Sequence, residues 1–372
     1  MQNYIWQHSN WPNFNWNTTK ITPYLQSARQ TQQQLLSAVG SINLNNLGEI
    51  LASEVIETSS IEGEVLDPND VRSSVAKRLG LTRAGLPKPS RHTEGIVEML
   101  MEATINFRYP LTKNRLFQWH KLLFLNSQTF ITNEEIGQFR ISKNPMRVIS
   151  GRMGSEVIHY EAPPSGDVNK EIQKFLNWFS SEESLSLDGY IRAAIAHFWF
   201  VTIHPFEDGN GRISRCITDM AIAQDEQSQN RYYSLSTQIR IDRKKYYEIL
   251  EETQKGEGDI SQWLVWFLET ITKSINASLS NINKSLSISK FFDVISDMSL
   301  NERQLKVMRK LLENLPDDFQ GGLTNKKYVA MAKTSPESAK RDLKDLLEKG
   351  LILKNDGAGR STSYRLNREN IK

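Results

Sequence analysis

The sequence predicts a mainly α-helical body that carries one β-hairpin and is followed by a small module of helices and a second hairpin. Three observations predict it. Apolar residues recur at helical spacing through most of the first 285 positions, as in Ile191, Ala194, Ile195 and Phe198. In that stretch only residues 146–160 read as paired strands, with Arg147-Val148-Ile149 and Val157-Ile158-His159 flanking a turn that holds Gly151 and Gly154. Beyond residue 320, two short helical stretches are followed by Leu351-Ile352-Leu353 and Thr362 to Leu366, joined through a Gly-rich turn.

A chain of 372 residues suggests two or three domains, and 38% apolar with 24% charged residues excludes a disordered or fibrous chain. The domains expected are an N-terminal arm and helix region at 1–90, a catalytic domain at 91–285 and a terminal module at 286–372. No run of about 18 uncharged apolar residues occurs, and Met1 to Trp11 lack the basic-then-apolar layout of a leader. The expectation is a cytoplasmic protein with no membrane partner. The single cysteine, Cys216, excludes an internal disulfide and a multi-cysteine metal site, and its apolar neighbours imply buried packing. Residues 296–372 hold 16 Lys and Arg against 11 Asp and Glu, a net +5 in a chain whose total is +3. The charge therefore concentrates in the terminal module.

Taken in order, residues 1–30 carry Trp6, Trp11, Trp16, Phe14 and Tyr24 in a pattern too irregular for a helix, so an extended arm packed on the body is expected. A helix follows from about Leu47 to Glu62, with Gly63 as its C-cap. Glu54, Glu57 and Glu62 lie toward its C-terminal half, where the helix dipole disfavours carboxylates by roughly 0.3–1 kcal/mol. Either that end is simply solvated or Glu62 has an arginine partner elsewhere. Asp67 and Pro68 open a short helix that stops at Gly80, and two more are expected over His92–Phe107 and Leu111–Leu125. The 146–160 hairpin is marginal by itself, must lean on the helical body, and can take an extended partner segment as an added strand. Further helices start after Pro163-Pro164 and at Asp188, and residues 242–285 complete the body.

The stretch His204-Pro205-Phe206-Glu207-Asp208-Gly209-Asn210-Gly211-Arg212-Ile213-Ser214-Arg215 joins two apolar helix-period runs and concentrates the chemistry. Gly209, Asn210 and Gly211 precede a helix start, where backbone N–H groups and the helix dipole attract an anion such as phosphate. Arg212 and Arg215 are three apart, share a face and suit a triphosphate. Asp208 is the candidate ligand for a Mg2+ that bridges phosphates. His204 is the candidate general base, because an imidazole pKa near 6.5 leaves it able to take a hydroxyl proton at physiological pH. The spacing fits no P-loop, zinc HExxH pair or nucleophile elbow.

The run HPFEDGNGRISR resembles the signature HPFx[DE]GNGRxxR of Fic-domain protein adenylyltransferases and matches it at every defined position. The similarity covers about residues 91–285, including Gly137 to Arg140, the hairpin with Pro163-Pro164, and Asp259 to Leu268. The resemblance implies a Fic-fold helical body with a hairpin flap, and an enzyme that moves AMP from ATP to a Ser, Thr or Tyr hydroxyl of a protein and releases pyrophosphate. By the same resemblance His204 is the base and Asp208 the Mg2+ ligand. Gly209, Asn210 and Gly211 cradle the phosphates, Arg212 and Arg215 neutralise them, and Val157, Ile158, His159 and Tyr160 run along nucleotide and target. Gly211 stands where kinase-like relatives carry lysine, which favours AMP transfer. Tyr246 and Tyr247 resemble a pair that lines the adenine pocket, although the asparagine that follows such a pair has no counterpart in Gln254-Lys255-Gly256. Thr58-Ser59-Ser60-Ile61-Glu62-Gly63 matches the inhibitory pattern [ST]xxxE[GN], with Thr58, Glu62 and Gly63 as its defined positions. This implies that Glu62 pairs with Arg215 and keeps ATP from its productive pose, and in some relatives the same glutamate serves AMP removal.

The terminal module, with Ser335 and Pro336 opening its second helix, resembles a winged helix-turn-helix domain. Lys340, Arg341 and Lys344 on that helix and Arg360 at the wing form a phosphate-contacting set, so the module serves either DNA or protein contact, including a homodimer. Two classes remain at this stage: an auto-inhibited adenylyltransferase, or a DNA-binding regulator that senses ATP without turnover.

Overall fold

Every position of Gly189–Ile203 is buried, as an apolar helix without a polar stripe must be. Asp188 caps its start through Tyr190 N, and a six-residue turn leads from its end into Asn210–Glu226. The structure, a computed structural model, describes residues 4–371 apart from 42–43, 82–84, 127–131, 133, 152–154, 156, 296–297, 316–317 and 356–361. The expected turn residues Gly154 and Arg360 lie outside the described residues.

The chain forms two compact units, Met1–Ser278 and Leu279–Lys372. The first contains α1 (Thr18–Ala38), α2 (Leu44–Ile61), α3 (Pro68–Arg78), α4 (Arg91–Ile105) and α5 (Lys113–Leu123). A hairpin of β1 (Arg147–Ser150) and β2 (Val157–Glu161) follows, then α6 (Ser165–Phe179), α7 (Glu182–Ser186), α8 (Gly189–Ile203), α9 (Asn210–Glu226), α10 (Leu235–Ile241) and α11 (Arg243–Gln254). Helix α12 (Ser261–Ile295) contributes to both units. Phe175, Trp263 and Phe267 pack against the rings of His197, Phe198, Trp199 and Phe200 on α8, and Trp263 Nε1 donates to Ala194 O at 2.8 Å. Cys216 is buried as expected and its Sγ reaches Met99 O.

The N-terminal arm packs on the body as an irregular segment as far as Asn17, with a 3-10 turn at Ile5–Gln7 and further turns through Pro12 in place of an extended course. Trp11 and Phe14 stack edge-on against Trp199, and Trp6 Nε1 donates to Glu161 O. From Thr18 onward the expectation of an irregular arm is wrong, because Asn17 caps a 21-residue helix. Its buried stripe is Ile21, Ala28, Thr31, Gln32 and Leu35, of which Ala28, Thr31 and Gln32 are small or polar. Arg29 pairs with Asp188 and Asp225 at 2.8 and 2.7 Å. Polar anchoring of this kind is invisible to a search for apolar periodicity.

In the second unit α13 (Glu302–Leu312), α14 (Asn325–Ala332) and α15 (Pro336–Glu348) precede an antiparallel pair, β3 (Ile352–Lys354) and β4 (Tyr364–Leu366). Leu323 bridges to Tyr364, and Val307, Met308, Leu311, Leu343, Leu346 and Ile352 form the core. Lys340, Arg341 and Lys344 are exposed on α15.

Candidate active site

The turn between α8 and α9 is shaped by its own residues. Proline at 205 disfavours helical backbone at the preceding position, and His204 takes φ 50, ψ 60 while its N–H still closes the last turn of α8 on Phe200 O. Phe206 is fully buried, stacked on His120 with ring centroids 4.2 Å apart. Asn210 holds the turn closed, since its Oδ1 accepts from Phe206 N at 2.9 Å and its Nδ2 donates to Phe206 O at 2.8 Å. Both ends of that buried amide are committed, so the Asn210 side chain shapes the loop and leaves only its backbone N–H, at the start of α9, to face an anion. Asn210→Ala should leave two buried backbone groups unpaired. A loss of about 2–4 kcal/mol in urea unfolding is expected, with a smaller loss for Asn210→Asp.

Two further residues, His120 and Arg140, hold the turn from outside. His120 Nδ1 accepts from Gly137 N at 2.9 Å, which leaves the proton on Nε2, 3.2 Å from Asp208 O. Burial lowers the His120 pKa to about 4, so this neutral tautomer persists. Arg140 Nε donates to His204 O at 2.7 Å and its Nη2 to Pro163 O, a buried cation at a helix C-terminus. Gly209 (φ +83) could not carry a Cβ without striking Leu123.

His204 is half-buried and its Nδ1 faces Val201 O at 3.2 Å. Only an N–H can sit there, so Nδ1 carries the proton and Nε2 keeps its lone pair. Desolvation is the main cause that lowers its pKa to about 4, against the opposing Val201 hydrogen bond. Asp208 is exposed, its Oδ1 accepting from Gly209 N at 2.5 Å.

Both arginines of the next turn are buried, and both are met by the end of α2 and the turn that follows it. Arg215 Nη2 donates to Glu62 Oε1 at 2.8 Å and to Thr58 O at 2.9 Å, and its Nε to Thr58 Oγ1 at 2.7 Å. Arg212 Nη1 donates to Glu64 Oε2 at 2.7 Å. The Glu62 carboxylate lies against Gly211, where any Cβ would collide with Oε1. It therefore occupies the N-terminus of α9, a place suited to an anion. Desolvation opposes its charge, but Arg215, first by field and then by hydrogen bond, holds the Glu62 pKa below the usual carboxylate range.

The end of α2 explains how the acids are carried. Gly63 N bonds Ser60 O, Glu64 N bonds Ser59 O at 3.0 Å, and Gly63 sits at φ +85, the pattern of a Schellman cap. Arg243 Nε donates to Ile61 O at 2.6 Å, and Tyr247 Oη reaches Glu62 Oε2 at 3.3 Å. Glu54, the other conspicuous acid of α2, accepts from Ser234 Oγ at 2.7 Å and Ser236 N at 3.1 Å at the start of α10.

Two expected nucleotide contacts are corrected. Tyr160 is buried, edge-on to Tyr4, with its hydroxyl donating to Thr202 O at 2.6 Å. It anchors the hairpin instead of facing a ligand. Tyr246 is also buried, its hydroxyl meeting His197 at 2.9 Å and lying beside Arg215, so of the pair it is Tyr247 that reaches Glu62. His159 is engaged by Glu251 at 2.6 Å, whereas Val157 and Ile158 are exposed. Ile158, Ile149, Met146, Arg147, Arg140 and Glu207 border an open cavity of about 530 Å³.

A family model described as the Fic/DOC family matches residues 110–222, the span that holds this turn. That span, about a third of the chain, is similar to a Fic domain. Residues 4–81 match a second model, described as a domain of unknown function, DUF4172, so the inhibitory-pattern helix α2 lies outside the Fic match. The Drosophila willistoni protein named protein adenylyltransferase Fic is 28% identical over 160 residues, 42% of this chain and 30% of that protein. The Drosophila virilis protein of that name is 33% identical over 117 residues, 32% of this chain and 22% of its own length. The chain thus spans under a third of these curated relatives. The crystal structure of a Fic family protein from Desulfovibrio desulfuricans G20 aligns over 95% of this chain and 97% of its own, with TM-score 0.56 and 17% identity. Fic-1 (aa134–508) from C. elegans aligns over 73% of this chain and 74% of its own, with TM-score 0.50 and 20% identity. The mainly helical Fic fold is therefore shared. Among the described residues no helix is long and apolar enough to cross a membrane.

Proposed function

We propose that this chain transfers AMP from ATP to a hydroxyl side chain of a protein and is held off by Glu62. The observation that carries the reading is a neutral His204, its Nε2 lone pair unspent, in the same turn as a helix N-terminus and two buried arginines. In the reaction the target hydroxyl gives its proton to His204 Nε2 while its oxygen attacks the α-phosphorus. The bond from that phosphorus to the α–β bridging oxygen breaks, and pyrophosphate leaves. Arg212, Arg215 and the N–H groups that begin α9 take up the negative charge. Among the described residues no group of three or more His, Cys, Asp or Glu could hold a metal by itself. The lone exposed carboxylate of Asp208 does fit a Mg2+ that arrives with phosphate oxygens and waters. Bound there, such an ion supplies charge neutralisation to the phosphates.

The test is incubation with Mg2+ and ATP labelled on the α-phosphate, comparing wild type, Glu62→Gly and Glu62→Gly/His204→Ala. Label on protein in the second sample alone supports transfer. Label in none of them favours the alternative of a nucleotide sensor coupled to DNA through Lys340, Arg341 and Lys344, and loss of label from pre-modified protein favours AMP removal.

A pH prediction follows from His204. The base is the unprotonated ring, and its pKa is about 4, so transfer by Glu62→Gly should stay level from pH 8 down to about 5.5. A fall centred near 6.5, the unperturbed value, would count against the buried neutral base. Stability has the same sign. His120, His197 and His204 all have depressed folded pKa values, so their contribution is present above about 6.5 and lost as pH falls toward 4.

A further inference from the structure

Taking the turn as a nucleotide site, the geometry points to Glu64 as a second, separable gate. We propose that it withholds Arg212 as Glu62 withholds Arg215, so that the site opens fully only to a ligand that brings two adjacent phosphates.

Glu62 and Glu64 flank the left-handed Gly63, and the cap hydrogen bonds fix that turn. Arg212 and Arg215 are three apart on one face of α9. Two carboxylates from one rigid turn thus meet two guanidinium groups from one helix turn, at 2.7 and 2.8 Å. The arginine side chains are only 6% and 2% exposed, while Glu64 and Glu62 keep 26% and 28%. The acids border solvent and can be displaced, whereas the cations cannot leave.

Arg212 has no equivalent partner to fall back on. Asp208 Oδ2 is 3.6 Å from Nη2 and largely exposed, and Arg212 Nε is buried without a hydrogen-bond partner among the described residues. Arg215, by contrast, keeps two bonds to Thr58 when Glu62 is gone. Glu64 has somewhere to go, because its other oxygen already meets His92 Nε2. Each carboxylate therefore occupies the position of one anionic group. A monophosphate can replace one of them, and a di- or triphosphate can replace both.

The test measures AMP, ADP and ATP affinity of the full chain by calorimetry for wild type, Glu62→Gly, Glu64→Gln and the double variant. Glutamine keeps the shape and the acceptor oxygen but removes the charge. In the Glu62→Gly background, Glu64→Gln should tighten ADP and ATP by about tenfold and leave AMP nearly unchanged. With Glu62 present the same change should gain much less, since Arg215 stays blocked. Adding Arg212→Gln should erase the Glu64→Gln gain, because the two act through one pair. No gain, a loss of affinity, an equal gain for AMP, or a gain that survives Arg212→Gln would each overturn the second gate. A Glu62→Gly variant that fails to tighten ATP over wild type would instead overturn the reading of the site on which the gate rests. If Glu64→Gln does not fold, His92→Phe, which keeps the ring and carries no donor, reads the same pair from its other side in the Glu62→Gly background. It removes the alternative partner, holds Glu64 on Arg212, and should weaken ADP without affecting AMP; unchanged ADP affinity would overturn the gate.

Discussion

Glu62→Gly should raise AMP transfer by at least tenfold over wild type while making the nucleotide-free protein less stable. Both effects come from one buried cation. Arg215 is 2% exposed, and removing one member of a buried pair costs about 3–5 kcal/mol because the other charge is left uncompensated. The loss here should fall toward the low end, since Thr58 keeps two hydrogen bonds to Arg215 and Glu62 keeps some contact with water. A phosphate can then supply the missing negative charge at the N-terminus of α9. Saturating Mg2+ and ATP should therefore return most of the lost melting temperature to the variant and shift wild type less. A variant that melts like wild type and binds ATP no better would show that Glu62 blocks nothing.

His204→Ala in the Glu62→Gly background should lower transfer by about 10²–10⁴, the range set by a positioned general base. ATP affinity should change little, because the arginines and the α9 N-terminus hold the phosphates and the imidazole does not. A drop in affinity matching the drop in rate would assign His204 to binding. Retained transfer would remove the base from the mechanism.

Much of this site is local, and local features are legible in sequence. His204, Asp208, Arg212 and Arg215 fall within twelve consecutive residues, and a turn entering a helix constrains them to one neighbourhood whatever surrounds it. The Glu62–Arg215 pair is legible for a different reason: carboxylates near a helix C-terminus are disfavoured unless a cation compensates them, and a six-residue pattern points to one. Glu64 was missed because it follows the helix cap, where an acidic residue is ordinary. The side chain of Asn210 has a part that its place between two glycines does not reveal, since the turn closes on itself and uses both ends of the amide. Tyr160 and Tyr246 were expected at the ligand, but burial of their rings and the need to satisfy each hydroxyl drew them to Thr202 O and His197. The stripe of α1 escaped notice because Thr31 and Gln32 stand where apolar residues would have marked it.

By itself the sequence determined the helical class of the body, the order of base, acidic residue, glycines and arginines, and the cap that ends α2 at Gly63, since each depends on spacing along a few turns of backbone. The tertiary structure decided which charges meet. Whether Arg212 faces Glu64 or solvent, and whether Glu62 lies on Gly211, depends on how α2 packs against α9 across about 150 residues of chain. Ion pairs between buried groups are set by the burial of both partners at once, and no single stretch of sequence contains both.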